Sequence, residues 1–301
     1  MQKNLEGLKV LVTGGTGFIG SALVKYLRAH RNVVYIMTTR SSLVDESGFY
    51  ISADLSIDEM TGVLSEIRPD LIFHLATRYI ADHQSQDVQS IIDANIEFGL
   101  RLLEAMSKSG CRHLVNVGSS WQYATCNSPN HDPVNLYAAS KNAFECFIDY
   151  YVKASSLIAM TIILYDSYGP YDKRPKLINK LLESQFKRET IGLSPGYQCI
   201  KLVYILDLIQ AMIFAGLSLR NSHQAIHKKY CLGNVPQYTL REIASAIEEI
   251  TNDKLDIVWG EKPYRAREVM QPWHAGMPLP GWSPAISLKD GLRQTWLSFL
   301  S

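Results

Sequence analysis

Tyr137 and Lys141, in the stretch "NLYAASKN" at 135–142, stand four positions apart. On a helix that spacing puts both side chains on one face. A tyrosine at its ordinary pKa of about 10 is a sluggish proton donor or acceptor near neutrality, and an ammonium one turn away would help it. Spacing alone is weak evidence, because the chain has 16 tyrosines and "YQCIK" repeats the pattern at Tyr197 and Lys201. That second pair sits in a stretch bounded by glycine and proline that leads into strand-like "KLVYI", where i and i+4 are not brought together. Ser119 ends the apolar run "HLVNVGSS". The carboxyl ends of parallel strands are where such sheets place ligands, so Ser119 and a tyrosine on the next helix converge there.

A second chemical signal lies near the N-terminus. "TGGTGFIG" places Gly14, Gly17 and Gly20 between an apolar run and the helical pattern "FIGSALVKYLRAH". Glycine permits the tight turn and lets bare backbone approach a pyrophosphate, while the following helix N-terminus supplies free N–H groups. The strand–turn–helix context makes this a dinucleotide site, with Gly14, Thr16, Gly17, Phe18, Ile19 and Gly20 expected to line it. After the second strand there is no carboxylate before Asp45 to receive an adenosine ribose, as an NAD site would offer. Thr39, Arg40 and Ser41 stand there instead, and a guanidinium between two hydroxyls suits a 2′-phosphate. NADPH is the preferred cofactor on this reading, with NAD possible.

The elements that must position these residues follow a rhythm. "KVLVTG" (9–14), "NVVYIMT" (32–38), "FYISA" (49–53), "LIFHLA" (71–76), "HLVNVG" (113–118) and "LIAMTIILY" (157–165) read as buried strands. Helical patterns intervene, including "VQSIIDANIEFGLRLLEAMSKSG", whose Gly110 suits a helix stop. Such alternation predicts an α/β fold with a doubly wound parallel sheet of Rossmann type. Beyond "SYGP" the rhythm breaks into irregular stretches such as "PYDKRPK" and "WHAGMPLPGW". Residues 1–170 are expected to form the dinucleotide-binding domain and 171–301 mostly a smaller substrate-binding lobe, with a segment at about 198–232 packing back onto the first.

Bulk composition narrows the classes. The 301 residues are 47% hydrophobic and 20% charged, with a net charge of +1, which gives no basic field for nucleic acid. Cys111, Cys126, Cys146, Cys199 and Cys231 are scattered and odd in number, a pattern of reduced thiols in a cytoplasmic protein without a disulfide framework or metal site. No signal peptide or membrane-length apolar run is visible.

Taken together, "VTGGTGFIG", "ADL", "FHLAT", "NIEFGLRLLEA", "VGSSWQY", "LYAASK" and "YGP" occur in an order that resembles the extended short-chain dehydrogenase/reductases. The likeness extends through "LGNVPQYTLREIASAI" and "PYRAREVM…LPGWSPAISLKDGL". Within that family the chain looks most similar to reductases of nucleoside-diphosphate-linked 4-keto-deoxyhexoses, such as abequose and paratose synthases. The resemblance implies Ser119, Tyr137 and Lys141 as a catalytic triad. It also implies Asp54 and Leu55 beside the adenine, Leu75, Ala76 and Thr77 on the pyrophosphate and ribose side, and Asn95 and Tyr165 as further cofactor-lining positions.

Departures from the family pattern sharpen the expectation. The family's sugar dehydratases carry an Asp-Glu pair after the catalytic hydroxyl residue, where this chain has Ser120 and Trp121, so dehydration is not expected. Epimerase-reductases carry a cysteine at the Trp121 position, which argues against double epimerisation, with only the loop histidines His83 and His131 left as bases. The family's diphosphate-gripping arginine is replaced within "CIKLVY" by Ile200, leaving Lys201 one position later; Arg265 matches a second phosphate-binding arginine. Asp166 brings an unhelpful charge near the diphosphate, where relatives have asparagine, and Tyr79, Trp121 and Tyr165 are expected to wall the sugar pocket.

The expected function is therefore NADPH-dependent reduction of the 4-keto group of a nucleotide-linked deoxyhexose. A sugar-nucleotide 4-epimerase with tightly bound NAD is the nearby alternative, and a redox-sensing binding protein without catalysis the distant one. Helices over 87–109 and 134–153 are expected to form a homodimer interface.

Overall fold

The middle of the sheet is built from short apolar strands that are buried on both faces, and its edge strands are partly exposed. In this computed structural model, which describes residues 6–39 and 49–300, the strands are β1 (Lys9–Thr13), β2 (Val33–Thr38), β3 (Tyr50–Ser52), β4 (Leu71–His74), β5 (His113–Ser119) and β6 (Ile158–Leu164). Three short strands follow, β7 (Asp166–Tyr168), β8 (Ile191–Leu193) and β9 (Cys199–Tyr204), and then β10 (Ile226–Cys231), β11 (Gln237–Thr239) and β12 (Ile257–Trp259). Among the described residues seven strands form one sheet in the order β10-β6-β5-β4-β1-β2-β3, every pairing parallel. The order reverses between β1 and β4, and a ligand cleft belongs outside the carboxyl ends at that point.

Strand alternation divides the core in two. Val10, Val12, Phe73 and Ile162 face one layer, where α1 (Phe18–Ala29) and α7 (Ile205–Arg220) contribute Leu23, Leu27, Leu208 and Met212. Leu11, Ile72, Leu114 and Ala159 face the other, against α2 (Ile57–Ile67), α4 (Phe98–Ser109) and α5 (Leu136–Ala154). On this second face a polar row crosses the sheet near its carboxyl end. Thr13, His74, Asn116 and Thr161 stand in register on four neighbouring strands and all are buried.

Local signals set the helix ends. Ser56 and Glu59 form a reciprocal capping box at the start of α2, and Gly110, at φ 76°, ends α4. Between α3 (Val88–Ile92) and α4 the helix widens into a π-helical turn over Asp93–Glu97. The expected continuous helix is thus present with one irregular turn.

The smaller lobe has a three-stranded sheet, β11-β9-β7, a pair β12-β8, and helices α6 (Leu177–Lys187), α8 (Leu240–Thr251) and α9 (Leu288–Leu300). β7 and β9 pair across the region around residue 170, and one hydrophobic cluster runs from Leu8 to Leu292 through both parts. α7 packs back on α1, β5 and β6, and β10 joins the main sheet. No helix among the described residues is long and apolar enough to cross a membrane.

Candidate active site

The cleft begins with the glycine turn. Gly14 has φ +68°, and a Cβ there would lie 2.7 Å from the Ala76 nitrogen. A Cβ on Gly20 would lie 2.2 Å from the Gly14 oxygen, so the turn can close on α1 only without side chains. Gly17 precedes α1 as an N-cap without a side-chain hydrogen bond, which leaves the first N–H groups of the helix facing the cleft lined by Phe18, Ile19 and Gly20. The cavity, about 940 Å³, also takes in Thr16, Thr39, Asp54, Leu75, Ala76 and Thr77. Bare backbone, an uncapped helix start and this volume fit a dinucleotide. Thr16 and Thr38 hydroxyls meet at 3.3 Å beneath it. Arg40 and Ser41 lie outside the described residues.

Two expected cofactor contacts sit elsewhere. Leu55 packs against the second core layer, and its carbonyl accepts a bond from Arg101. Asn95 is buried behind the wall: its Oδ1 accepts from the Thr77 hydroxyl at 2.9 Å and the Arg78 nitrogen at 2.7 Å. Its Nδ2 donates to the Ser140 hydroxyl at 2.9 Å, and that hydroxyl donates to the Tyr137 carbonyl at 2.7 Å. Asn95 therefore braces the loop after β4 against the first turns of α5.

Asn135 caps α5 by accepting from the Ala138 nitrogen at 2.9 Å, which places Tyr137 in the first turn and Lys141 one turn on. Both are buried and both line the cleft, together with Ser119 from the end of β5. The second pair separates as its backbone requires. Tyr197 is exposed under Arg241, whereas Lys201 on β9 lies 4.7 Å from the Tyr165 ring.

Burial pushes the Tyr137 phenol up to about 12, with hydrogen bonding from Ser119 drawing it back. Desolvation is the largest effect on the phenol; Asp166 adds to it and Arg174 opposes it. Lys141 is itself pushed down to about 8 by burial, against the pull of the Glu145 carboxylate. At neutral pH the site therefore holds a protonated phenol beside an ammonium.

A second cavity of about 790 Å³ opens between the sheet and the smaller lobe and shares Tyr79, Ser120, Trp121, Tyr165, Asp166 and Lys176 with the first. Tyr79 meets Tyr137 edge-on at 5.0 Å and Trp121 at 5.9 Å. Tyr165 donates to the Trp273 carbonyl at 2.9 Å. Lys201 and Arg265 line the far side, with the Arg265 guanidinium 5.7 Å from the Trp121 ring. Neither His83 nor His131 borders either cavity.

Sequence reasoning missed the strap at 172–176. Arg174 is held by Asp172 at 2.7 Å and stacks 4.4 Å over Phe18, so a cation crosses the glycine turn. Lys176 pairs with Asp166 at 2.7 Å. The cation run in "PYDKRPK" was the available signal, but it reads equally as a solvated loop.

The chain is similar to known proteins over most of its length. The chain is 31% identical to the CDP-abequose synthase of Yersinia pseudotuberculosis, covering 88% of this chain and 92% of that protein. It is 25% identical to a UDP-glucose 4-epimerase of Mycolicibacterium smegmatis over 96% of this chain and 97% of the relative. The solved UDP-glucose 4-epimerase of Thermus thermophilus in complex with NAD superposes with a TM-score of 0.79 at 23% identity, covering 98% and 99% of the two chains. The model of the NAD-dependent epimerase/dehydratase family matches residues 10–228, and this chain, with its glycine turn and its Ser119–Tyr137–Lys141 cluster in one cleft, belongs to that family.

Proposed function

We propose that this protein is an NADPH-dependent reductase of the 4-keto group of a nucleoside-diphosphate-linked deoxyhexose or dideoxyhexose. As a member of its family it is an oxidoreductase-type enzyme of the short-chain dehydrogenase/reductase class acting on nucleotide sugars. The observation that carries the finer reading is the buried phenol of Tyr137 in one cleft with Ser119 and Lys141: reduction of a ketone needs a proton donor, and a phenol there can supply it.

The cofactor, when bound, supplies the hydride. Gly14, Gly17 and the start of α1 would hold its pyrophosphate, and Lys141 its nicotinamide ribose. Tyr137 gives its proton to the oxygen developing charge at C4, and Ser119 holds that oxygen by hydrogen bonding. Tyr79, Trp121 and Tyr165 wall the sugar, while Lys201 and Arg265 face its diphosphate. Ser120 and Trp121 provide no acid–base pair for eliminating water. Thr39 borders the cleft and Arg40 follows it in sequence, which supports a 2′-phosphate.

A panel of nucleotide-linked 4-keto sugars with NADPH, followed at the nicotinamide absorbance, tests the reading. Consumption of NADPH with one keto sugar supports it; inertness toward the whole panel removes it. The 25% identity to a 4-epimerase favours a second reading, a sugar-nucleotide 4-epimerase retaining NAD. An absorbance scan of the purified protein separates the two, because an epimerase carries its dinucleotide through purification. The product would be an activated deoxysugar for glycan assembly in the cytoplasm. We further infer a homodimer through the helices over 87–109 and 134–153, where Tyr150 is exposed, and sedimentation decides that point.

A further inference from the structure

Four residues at i, i+4 spacing run down the inner side of α5: Tyr137, Lys141, Glu145 and Asp149. The first two are the reacting pair of the proposed mechanism. Glu145 is as deeply buried as any charged side chain described, with 1% of its surface exposed. Burying a carboxylate is expensive, and an apolar residue of similar size would serve packing as well.

Its two oxygens have different duties. Oε1 accepts from Gln122 Nε2 at 2.8 Å, and Gln122 Oε1 in turn accepts from the Ser119 backbone nitrogen at 2.7 Å. The junction leaves no room for a side chain on Gly118, whose Cβ would lie 2.8 Å from Gln122 Oε1 and 3.0 Å from Glu145 Oε1. Oε2 is ion-paired with Lys229 on β10 at 3.0 Å. Lys229 also reaches Asp149 at 3.5 Å, and Asp149 holds the ring of His227 at 2.6 Å.

We propose that Glu145 is a positioning residue for the reaction: through Gln122 it fixes Ser119 against α5, and through its charge, shared with Lys229, it keeps Lys141 an ammonium. The proposal rests on the reading of Tyr137 and Lys141 as the reacting pair. The groups facing Glu145 are Lys141 and Asp149 on its own helix, Lys229 and His227 on β10, and Tyr123 and His131 from the loop before α5. His74 on β4 faces Lys141 from below and stays neutral, so it adds no charge there at neutral pH. Glu145 is thus the anion that opposes the cost of burying Lys141.

The test is a titration of the isotopically labelled ε-methylene of Lys141 in the full chain, assigned by its disappearance in K141M, and it needs no substrate. Glu145→Gln keeps an acceptor for Gln122 but removes the charge, and the Lys141 midpoint should fall by about one pH unit or more. Lys229→Gln leaves Glu145 without its other cation, and the midpoint should rise. Shifts in these opposite directions support the proposal. An unmoved midpoint in either variant overturns it, and Lys229→Gln alone decides if Glu145→Gln does not fold. Once a substrate is in hand, Glu145→Gln should move the alkaline limb of the kcat profile downward in pH, whereas Glu145→Leu, which also releases Gln122, should lower kcat at every pH. An inert substrate panel would count against the proposed reaction and leave the lysine titration as it stands.

Discussion

Asp166 is neutralised by Lys176, whose Nζ lies 2.7 Å from its carboxylate and 4.8 Å from the Tyr79 ring. A negative charge that looked hostile to a diphosphate is therefore half of an ion pair at the junction of the two cavities. Lys176→Met leaves the carboxylate alone beside the sugar site, and kcat/KM should fall about tenfold. Asp166→Asn combined with Lys176→Met should recover most of that loss. Steady-state kinetics of the two variants checks both statements.

Tyr137→Phe keeps the ring against Tyr79 and removes only the proton donor. Turnover should drop roughly a thousandfold. Cofactor affinity, measured by calorimetry, should stay within about threefold, because the glycine turn is untouched. A variant that keeps most of its turnover would dispose of the phenol as acid.

Arg40→Ala should lower kcat/KM for NADPH by tenfold or more while leaving the value for NADH nearly unchanged. Parallel assays with the two cofactors read this directly. Equal losses with both would mean that the guanidinium does not recognise a 2′-phosphate.

Gly20→Ala adds a methyl where 2.2 Å separates the Cβ position from the Gly14 oxygen. Because the obstacle is backbone, the turn has to open. Dinucleotide binding should weaken by more than about thirtyfold, as part of the helix-terminus contact to the pyrophosphate is lost. Fluorescence titration measures the change.

His74 is fully buried, its Nδ1 is 2.9 Å from the Thr13 hydroxyl, and burial with the nearby Lys141 holds its pKa at about 3. In the unfolded chain the imidazole titrates near 6.5. As pH falls below about 6.5 the unfolded state takes up a proton that the native state refuses until about 3, so stability is lost across that window. Between pH 7 and pH 5 the His74 share of the loss should be about 2 kcal/mol, and His74→Gln should reduce the total loss by that amount. Urea unfolding at the two pH values compares them.

The strands were legible because parallel strands buried on both faces read as unbroken apolar runs, and the glycine turn because its spacing answers a local steric demand. Tyr137 and Lys141 were legible for the same reason, since one helix sets their relation. The rest depends on residues remote in the chain. Asn95 was expected beside the cofactor, but its four hydrogen bonds reach Thr77, Arg78 and Ser140 behind the wall. Lys229 meets Glu145 only because β10 lies at the sheet edge, and no periodicity in "HKKYC" announces a buried ion pair. The upward push of burial on the phenol was not legible either, because spacing gives neighbours but not desolvation.

The wide turn at Asp93–Glu97 inserts the equivalent of one extra residue into a helix that otherwise runs from Val88 to Ser109. A chain one codon shorter within that turn would form a more regular helix with its apolar stripe unbroken. Its opening residues would swivel by about 100°, carrying Ser90 out of the cleft wall. Length variation at this spot would thus turn the rim of the catalytic chamber, and it would carry buried Ile91 and the Asn95 brace with it.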